Sequence, residues 1–221
     1  MKKQVKKQKQ ALNEVKKAIL AVRKAGSSKD QFKYDTMRSR DYSMILQTLK
    51  HIKPKDVLEV GCAYGTLSYL LKKSGIDVKA TDIEVLHNPK FFKKHKIDYS
   101  ELNVETDEID KQDCIIFTEV MEHLSYNPLP VLKKMKRALR KRGFIILSVP
   151  AREYDFPREH IGKWLNHINW RQIPNFKKYK QTDANNHYYY LWELLDLFKE
   201  AELRPDNLLR TQAGWFIILT R

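Results

Sequence analysis

Glu59, Gly61, Cys62, Ala63 and Gly65 fall in one stretch, Asp56-Val-Leu-Glu-Val-Gly-Cys-Ala-Tyr-Gly65, in which small residues follow a carboxylate. Small residues let a backbone approach a ligand, and a glycine turn that opens a helix presents free N–H groups, so the stretch suits a nucleotide-like ligand. The lysine and hydroxyl pair that would grip phosphates is missing, because Thr66 and Leu67 follow Gly65. A dinucleotide fingerprint would need glycines at 61, 63 and 66, where the chain has Gly61, Ala63 and Thr66. Asp82 closes Val78-Lys-Ala-Thr-Asp82, about 20 residues beyond the turn, where a carboxylate can accept both hydroxyls of a ribose. Glu119, Glu122 and His123 form a third group, spaced i, i+3 and i+4 so that one face of a predicted helix carries all three. That face suits proton abstraction by His123, or a divalent ion held by two carboxylates and an imidazole. The plainer alternative is that His123 only fills the helix end.

The surrounding pattern supplies the elements such residues need. Val57, Leu58 and Val60 predict a buried strand, and Leu67, Leu70 and Leu71 then switch to helical spacing until Gly75. Residues 78–82, 97–102, 113–118 and 144–149 read as four more strands. The fourth of the five is followed by a short helix over Glu119 to Leu124, and Pro128 to Arg142 reads as an amphipathic helix. Tyr34 to Ile52 predicts one helix upstream, Leu191 to Phe198 another, and Leu203–Leu209 with Trp215–Thr220 two final strands.

In this order and spacing, Glu59-x-Gly61-x-Ala63-x-Gly65, Asp82 and Glu119-Val-Met-Glu-His-Leu124 resemble the motifs of class I, Rossmann-like S-adenosylmethionine-dependent methyltransferases, with alanine in place of the middle glycine. The resemblance implies a seven-stranded, mostly parallel α/β sheet with helices on both faces and an antiparallel C-terminal hairpin. It implies S-adenosyl-L-methionine as cofactor, with Glu59 on its methionine end, Asp82 on the ribose, and Gly61, Cys62, Ala63, Gly65, Ile83, Asn103, Val104 and Glu119 around it. Asn103 stands where the family commonly has an acid for the adenine amino group; an amide oxygen can accept the same bond. Tyr34, Arg38, Arg40 and Tyr42 are candidates to close over the cofactor. His123, with Glu122, is the expected catalytic pair. Relatives that methylate quinone precursors or the 3′ end of small RNAs bind a divalent metal with this wording, which here names Glu119, Glu122, His123 and His187.

The 221 residues suffice for one α/β domain. Residues 1–28 read as a basic amphipathic helical extension with Leu12, Val15, Ile19 and Val22 on its apolar stripe, and 29–221 as the methyltransferase domain. The segment 151–187 is too long for a plain connection and predicts a substrate-side insertion, with Arg152, Tyr154, Arg158, His160, Lys163, Trp164, His167 and Trp170 as pocket candidates or as a small satellite core. A formal charge of +15, from 42 Lys and Arg against 27 Asp and Glu, points to an anionic partner or to a lysine-rich composition alone. Cys62 and Cys114 show no paired spacing, and no signal peptide or membrane span is read, so a cytoplasmic enzyme is expected. The resulting expectation is O-methylation of a small molecule or glycan. Two alternatives stand beside it: a metal-using RNA 2′-O-methyltransferase, and a scaffold that keeps the fold without turnover.

Overall fold

The computed structural model describes residues 2–150, 169–173, 175, 187–211 and 214–221. Its seven strands follow the order β3-β2-β1-β4-β5-β7-β6 in one sheet. The chain divides into two compact units, Met1–Leu102 and Asn103–Arg221.

The first unit begins with α1 (Lys2–Lys24), α2 (Lys29–Met37) and α3 (Ser39–Ile52). Val15, Ile19 and Val22 of α1 are buried, and the helix packs its apolar stripe on α3 and on α4 (Thr66–Lys73). Glu14 fastens it further, accepting from Lys50 Nζ at 2.8 Å and from Ser74 Oγ at 2.9 Å. The helix predicted from Tyr34 to Ile52 is in fact two, because the chain turns at Arg38, whose guanidinium is buried against Asp41 at 3.1 Å. β1 (Val57–Val60) is buried at all four positions, as a strand covered on both faces must be. It pairs in parallel with β2 (Lys79–Asp82), which pairs in parallel with β3 (Asp98–Glu101). Between them runs α5 (Pro89–His95), capped by Asn88, whose side chain accepts from the N–H groups of Lys90 and Phe91.

In the second unit β4 (Gln112–Thr118) pairs in parallel with β5 (Leu139–Val149), and β7 (Trp215–Thr220) runs antiparallel to both β5 and β6 (Arg204–Arg210). The predicted C-terminal hairpin is therefore present. α6 (Pro128–Ala138) stops four residues earlier than its pattern suggests, since Leu139 is already extended and pairs with Gln112. α7 (Leu191–Glu200) buries Leu194, Leu197 and Phe198. Among the described residues no helix is long and apolar enough to cross a membrane.

Candidate active site

In the first unit the 61–65 turn is built on left-handed backbone. Gly61, Ala63 and Gly65 have φ values of 80°, 46° and 78°, so the alanine occupies a conformation that costs about 1 kcal/mol or more with a Cβ. The N–H groups of Gly61 and Cys62 both donate to Thr81 O, at 2.8 and 2.9 Å, tying the turn to β2. Asp82 completes the tie: one carboxylate oxygen accepts from Ala63 N–H at 2.7 Å and the other from Ile83 N–H at 2.8 Å. A carboxylate has about four acceptor positions, so these two bonds leave room for a ribose diol. Ile83 beside it is 55% exposed. Cys62 is buried with Ala80, Phe92 and Ile97, and burial pushes its thiol pKa far up, so it packs the turn rather than reacting.

Glu59 lies one residue before the end of β1, buried, and accepts a hydrogen bond from Ser68 Oγ. Burial, reinforced by the charges of Asp82 and Asp35, pushes its carboxyl up to about 7. Asp35, which the sequence did not single out, is 1% exposed and accepts from Gln31 Nε2, Tyr42 Oη and Thr66 Oγ1 at 2.8, 3.0 and 2.6 Å. Of the four predicted covering residues, Tyr42 thus serves this carboxylate, Arg38 is paired with Asp41, Tyr34 is half-buried and Arg40 exposed.

In the second unit, Asn103 forms a turn: its Oδ1 accepts from Glu105 N–H at 3.0 Å and its own N–H donates to Asp107 at 2.8 Å. Val104 is buried, and Glu105 is drawn away to accept from Tyr126 N–H at 2.7 Å. Glu119 follows β4 in left-handed backbone at φ 55°, its N–H bonded to Ser148 O at 2.9 Å and its carboxylate to Ser148 Oγ at 3.0 Å. A non-glycine residue held there by a neighbouring strand is the kind of strain that collects at functional sites.

The short helix predicted over Glu119 to Leu124 is a single 3-10 turn, Met121–His123, so the shared face does not form. Glu122 points inward, with its side chain 3% exposed, while that of His123 is 53% exposed, and the two meet only at 4.0 Å. His187 is buried and joins this turn through its backbone, donating to Glu122 O at 2.7 Å. Tyr189 does likewise from its hydroxyl, bonding Met121 O at 3.3 Å. Among the described residues no group of three or more His, Cys, Asp or Glu is placed to hold a metal ion. Trp170 agrees with the satellite-core alternative: it is 3% exposed, donates to Asp196 at 3.2 Å and stacks under Arg171. Arg152, Tyr154, Arg158, His160, Lys163, Trp164 and His167 lie outside the described residues.

A family model described as a methyltransferase domain matches residues 34–206. Among solved structures the chain is similar to an S-adenosylmethionine-dependent methyltransferase from Clostridium acetobutylicum, at TM-score 0.61 and 12% identity over 81% of this chain and 89% of that one. It is similar as well to a SAM-dependent methyltransferase of Methanosarcina mazei, at TM-score 0.56 and 14% identity over 75% and 92% of the two chains. PigF with S-adenosylhomocysteine aligns at TM-score 0.62 and 16% identity, over 86% of this chain and 57% of that one. No curated protein matches the sequence. The structural likenesses establish the fold, and the family model spans most of the sequence: the chain belongs to the methyltransferase domain family.

Proposed function

We propose that the protein methylates an oxygen atom of a small molecule or glycan, with His123 as the base that takes the acceptor's proton. The observation that carries this reading is the contrast at the carboxyl end of β4, where the His123 side chain is 53% exposed while Glu122 is 3% exposed. The residues of the first unit fit the cofactor's chemistry. Glu59 is a buried acceptor suited to an ammonium group, Asp82 is a held carboxylate suited to two hydroxyls, and the Gly61 to Gly65 turn has no bulky side chain at its glycines. Ile83 offers apolar surface to a flat base, Cys62 and Ala63 hold the turn, and the Asn103–Val104 turn is assigned to the adenine edge.

When bound, S-adenosylmethionine supplies a methyl group already activated on sulfur. The chain therefore has to align donor and acceptor and exclude water. Glu119, fixed by Ser148, keeps the end of β4 in place, and the half-exposed His123 is the residue assigned to meet a hydroxyl. The metal-dependent RNA reading has less support, because Glu119, Glu122, His123 and His187 do not converge as a donor set among the described residues.

Labelled methyl transfer to a panel of phenols, sugars and short RNAs, with and without chelator, tests the proposal. We expect a methyl ether product insensitive to chelator, and a loss of about 100-fold or more in kcat for His123→Ala, the usual size of a general-base effect. An N-methyl product, full turnover by His123→Ala, or loss of activity in chelator would each overturn it.

A further inference from the structure

The second unit carries a concave basic surface at the end of the sheet away from Glu119. In the register of β4 and β5, Thr118 pairs with Ser148 at one end and Gln112 with Leu139 at the other, about 20 Å apart at the usual rise of a strand. At the Leu139 end, α6 contributes Lys133 and Arg137, the start of β5 contributes Lys141 and Arg142, and Arg221 follows β7; all five side chains are exposed. Lys133, Lys136, Arg137 and Arg221 line a cleft of about 280 Å³, together with Ala201 and Glu202.

The local acids do not neutralise this surface. Glu202 is engaged by Lys136, and Asp113 sits 3.8 Å from Arg140. None of the five exposed cations has a carboxylate within ion-pair distance among the described residues. Like charges converging from three elements repel one another where the acid among them, Glu202, is already engaged by Lys136, and an anion of matching spacing relieves that repulsion. The lysines of α1 differ: Lys6, Lys7, Lys9, Lys16, Lys17 and Lys24 are exposed along one helix, and the arginine of that helix, Arg23, is only half-exposed and donates to Ser27 O. Three of the five exposed cations on this surface are arginines, whose planar forks suit phosphate oxygens.

We propose that this surface docks the phosphate backbone of a double-stranded nucleic acid, as a holding site separate from the methyl-transfer chemistry. A duplex is favoured over a single strand because single strands are gripped largely by stacking on aromatic side chains, and the five residues include none. With no group to read base edges, binding is independent of sequence and dominated by counterion release. The inference stands whether or not His123 is a base and whatever the acceptor.

The test is fluorescence anisotropy with a labelled 20-base-pair RNA duplex across a salt series. Four to five phosphate contacts predict a log–log slope of about −4, or about a 250-fold loss of affinity between 50 and 200 mM salt. Arg137→Glu/Lys141→Glu/Arg142→Glu should weaken binding at least 50-fold and flatten the slope by about 3. Lys7→Glu/Lys9→Glu/Lys16→Glu, an equal change in net charge on α1, should change affinity less than about fivefold. The corresponding triple glutamine variant, checked by its melting curve, replaces the charge reversal if that protein does not fold. Equal losses from the two triple variants would show diffuse charge rather than a site and overturn the proposal. So would binding to vesicles of anionic phospholipid with no binding to the duplex.

Discussion

Thr66 donates its hydroxyl to Asp35 at 2.6 Å, so the first residue of α4 is fastened to the last turn of α2. Tyr42 of α3 donates to the same carboxylate at 3.0 Å, which makes Asp35 the joint of three helices directly behind the glycine turn. Asp35→Ala leaves the buried hydroxyls without an acceptor, and each such loss costs about 1–3 kcal/mol. We expect urea unfolding to show a stability loss of about 3 kcal/mol for Asp35→Ala, and a smaller one for Thr66→Val. A double-mutant cycle with Thr66→Val should show coupling of about 1 kcal/mol or more. Strict additivity would mean that the bond does not hold the helices together.

The Asp82 carboxylate combines an observed bond with a proposed one. It fixes the turn through Ala63 N–H at 2.7 Å, and the proposed reading gives it the ribose hydroxyls of the cofactor. Hydrogen bonds to a charged group are worth about 1.5–3 kcal/mol, so Asp82→Ala should weaken S-adenosylhomocysteine binding by about 100-fold, read by calorimetry. Asp82→Asn keeps acceptor capacity for only part of this set and should fall between the two. Unchanged affinity in Asp82→Ala would remove the ribose assignment.

What could be read in the sequence, and what could not, follows from the range of the forces involved. The glycine turn, Asp82 and the parallel strands announce themselves through local spacing, because backbone conformation and burial on both faces restrict which residues can stand there. The joint at Asp35 was invisible: its partners Tyr42 and Thr66 lie seven and 31 positions away, and no periodic pattern marks a carboxylate aimed inward. The predicted face of Glu119, Glu122 and His123 failed for a related reason. A helical spacing was assumed, but Ser148 of β5 holds Glu119 at φ 55° and the chain manages only one 3-10 turn beyond it. The same tertiary override shortened α6, where helix-compatible Arg140 and Lys141 are taken into β5.

Ala63 and Gly65 share left-handed backbone but differ in what a side chain would meet. At Ala63 the Cβ is already accommodated, so Ala63→Gly relieves strain of about 1–2 kcal/mol while adding roughly 0.4–1 kcal/mol of unfolded-state freedom. The net expectation is a gain of about 0.5–1 kcal/mol and a rise in Tm of about 2 °C. At Gly65 a Cβ would lie 2.2 Å from Phe92 Cζ, and Phe92 is held by stacking on His87 at a ring separation of 3.9 Å. Gly65→Ala should therefore cost about 3 kcal/mol, and Phe92→Ala in the same chain should recover only the steric part. A lower Tm for Ala63→Gly would contradict the strain argument.

Glu59 makes stability depend on pH in a direction opposite to that of most acids. Its folded-state carboxyl is pushed up to about 7, above the value of about 4.5 that it has when exposed. Below the lower value it is protonated in both states and its burial carries no charge penalty. As the pH rises from about 4.5 to about 7, the unfolded chain ionises while the folded one keeps its proton, so stability is lost across that window and the loss is complete above it. A shift of this size corresponds to about 3 kcal/mol at pH 8. Glu59→Gln imitates the protonated form, and paired urea titrations should find the two proteins nearly equal at pH 5 and the variant more stable at pH 8. The cofactor should reverse the order. An ammonium group favours ionised Glu59, so S-adenosylhomocysteine affinity of the parent protein should rise several-fold between pH 6 and 8, while that of Glu59→Gln stays weak and flat. If the two proteins instead lose stability in parallel between pH 5 and 8, Glu59 is not the group that titrates.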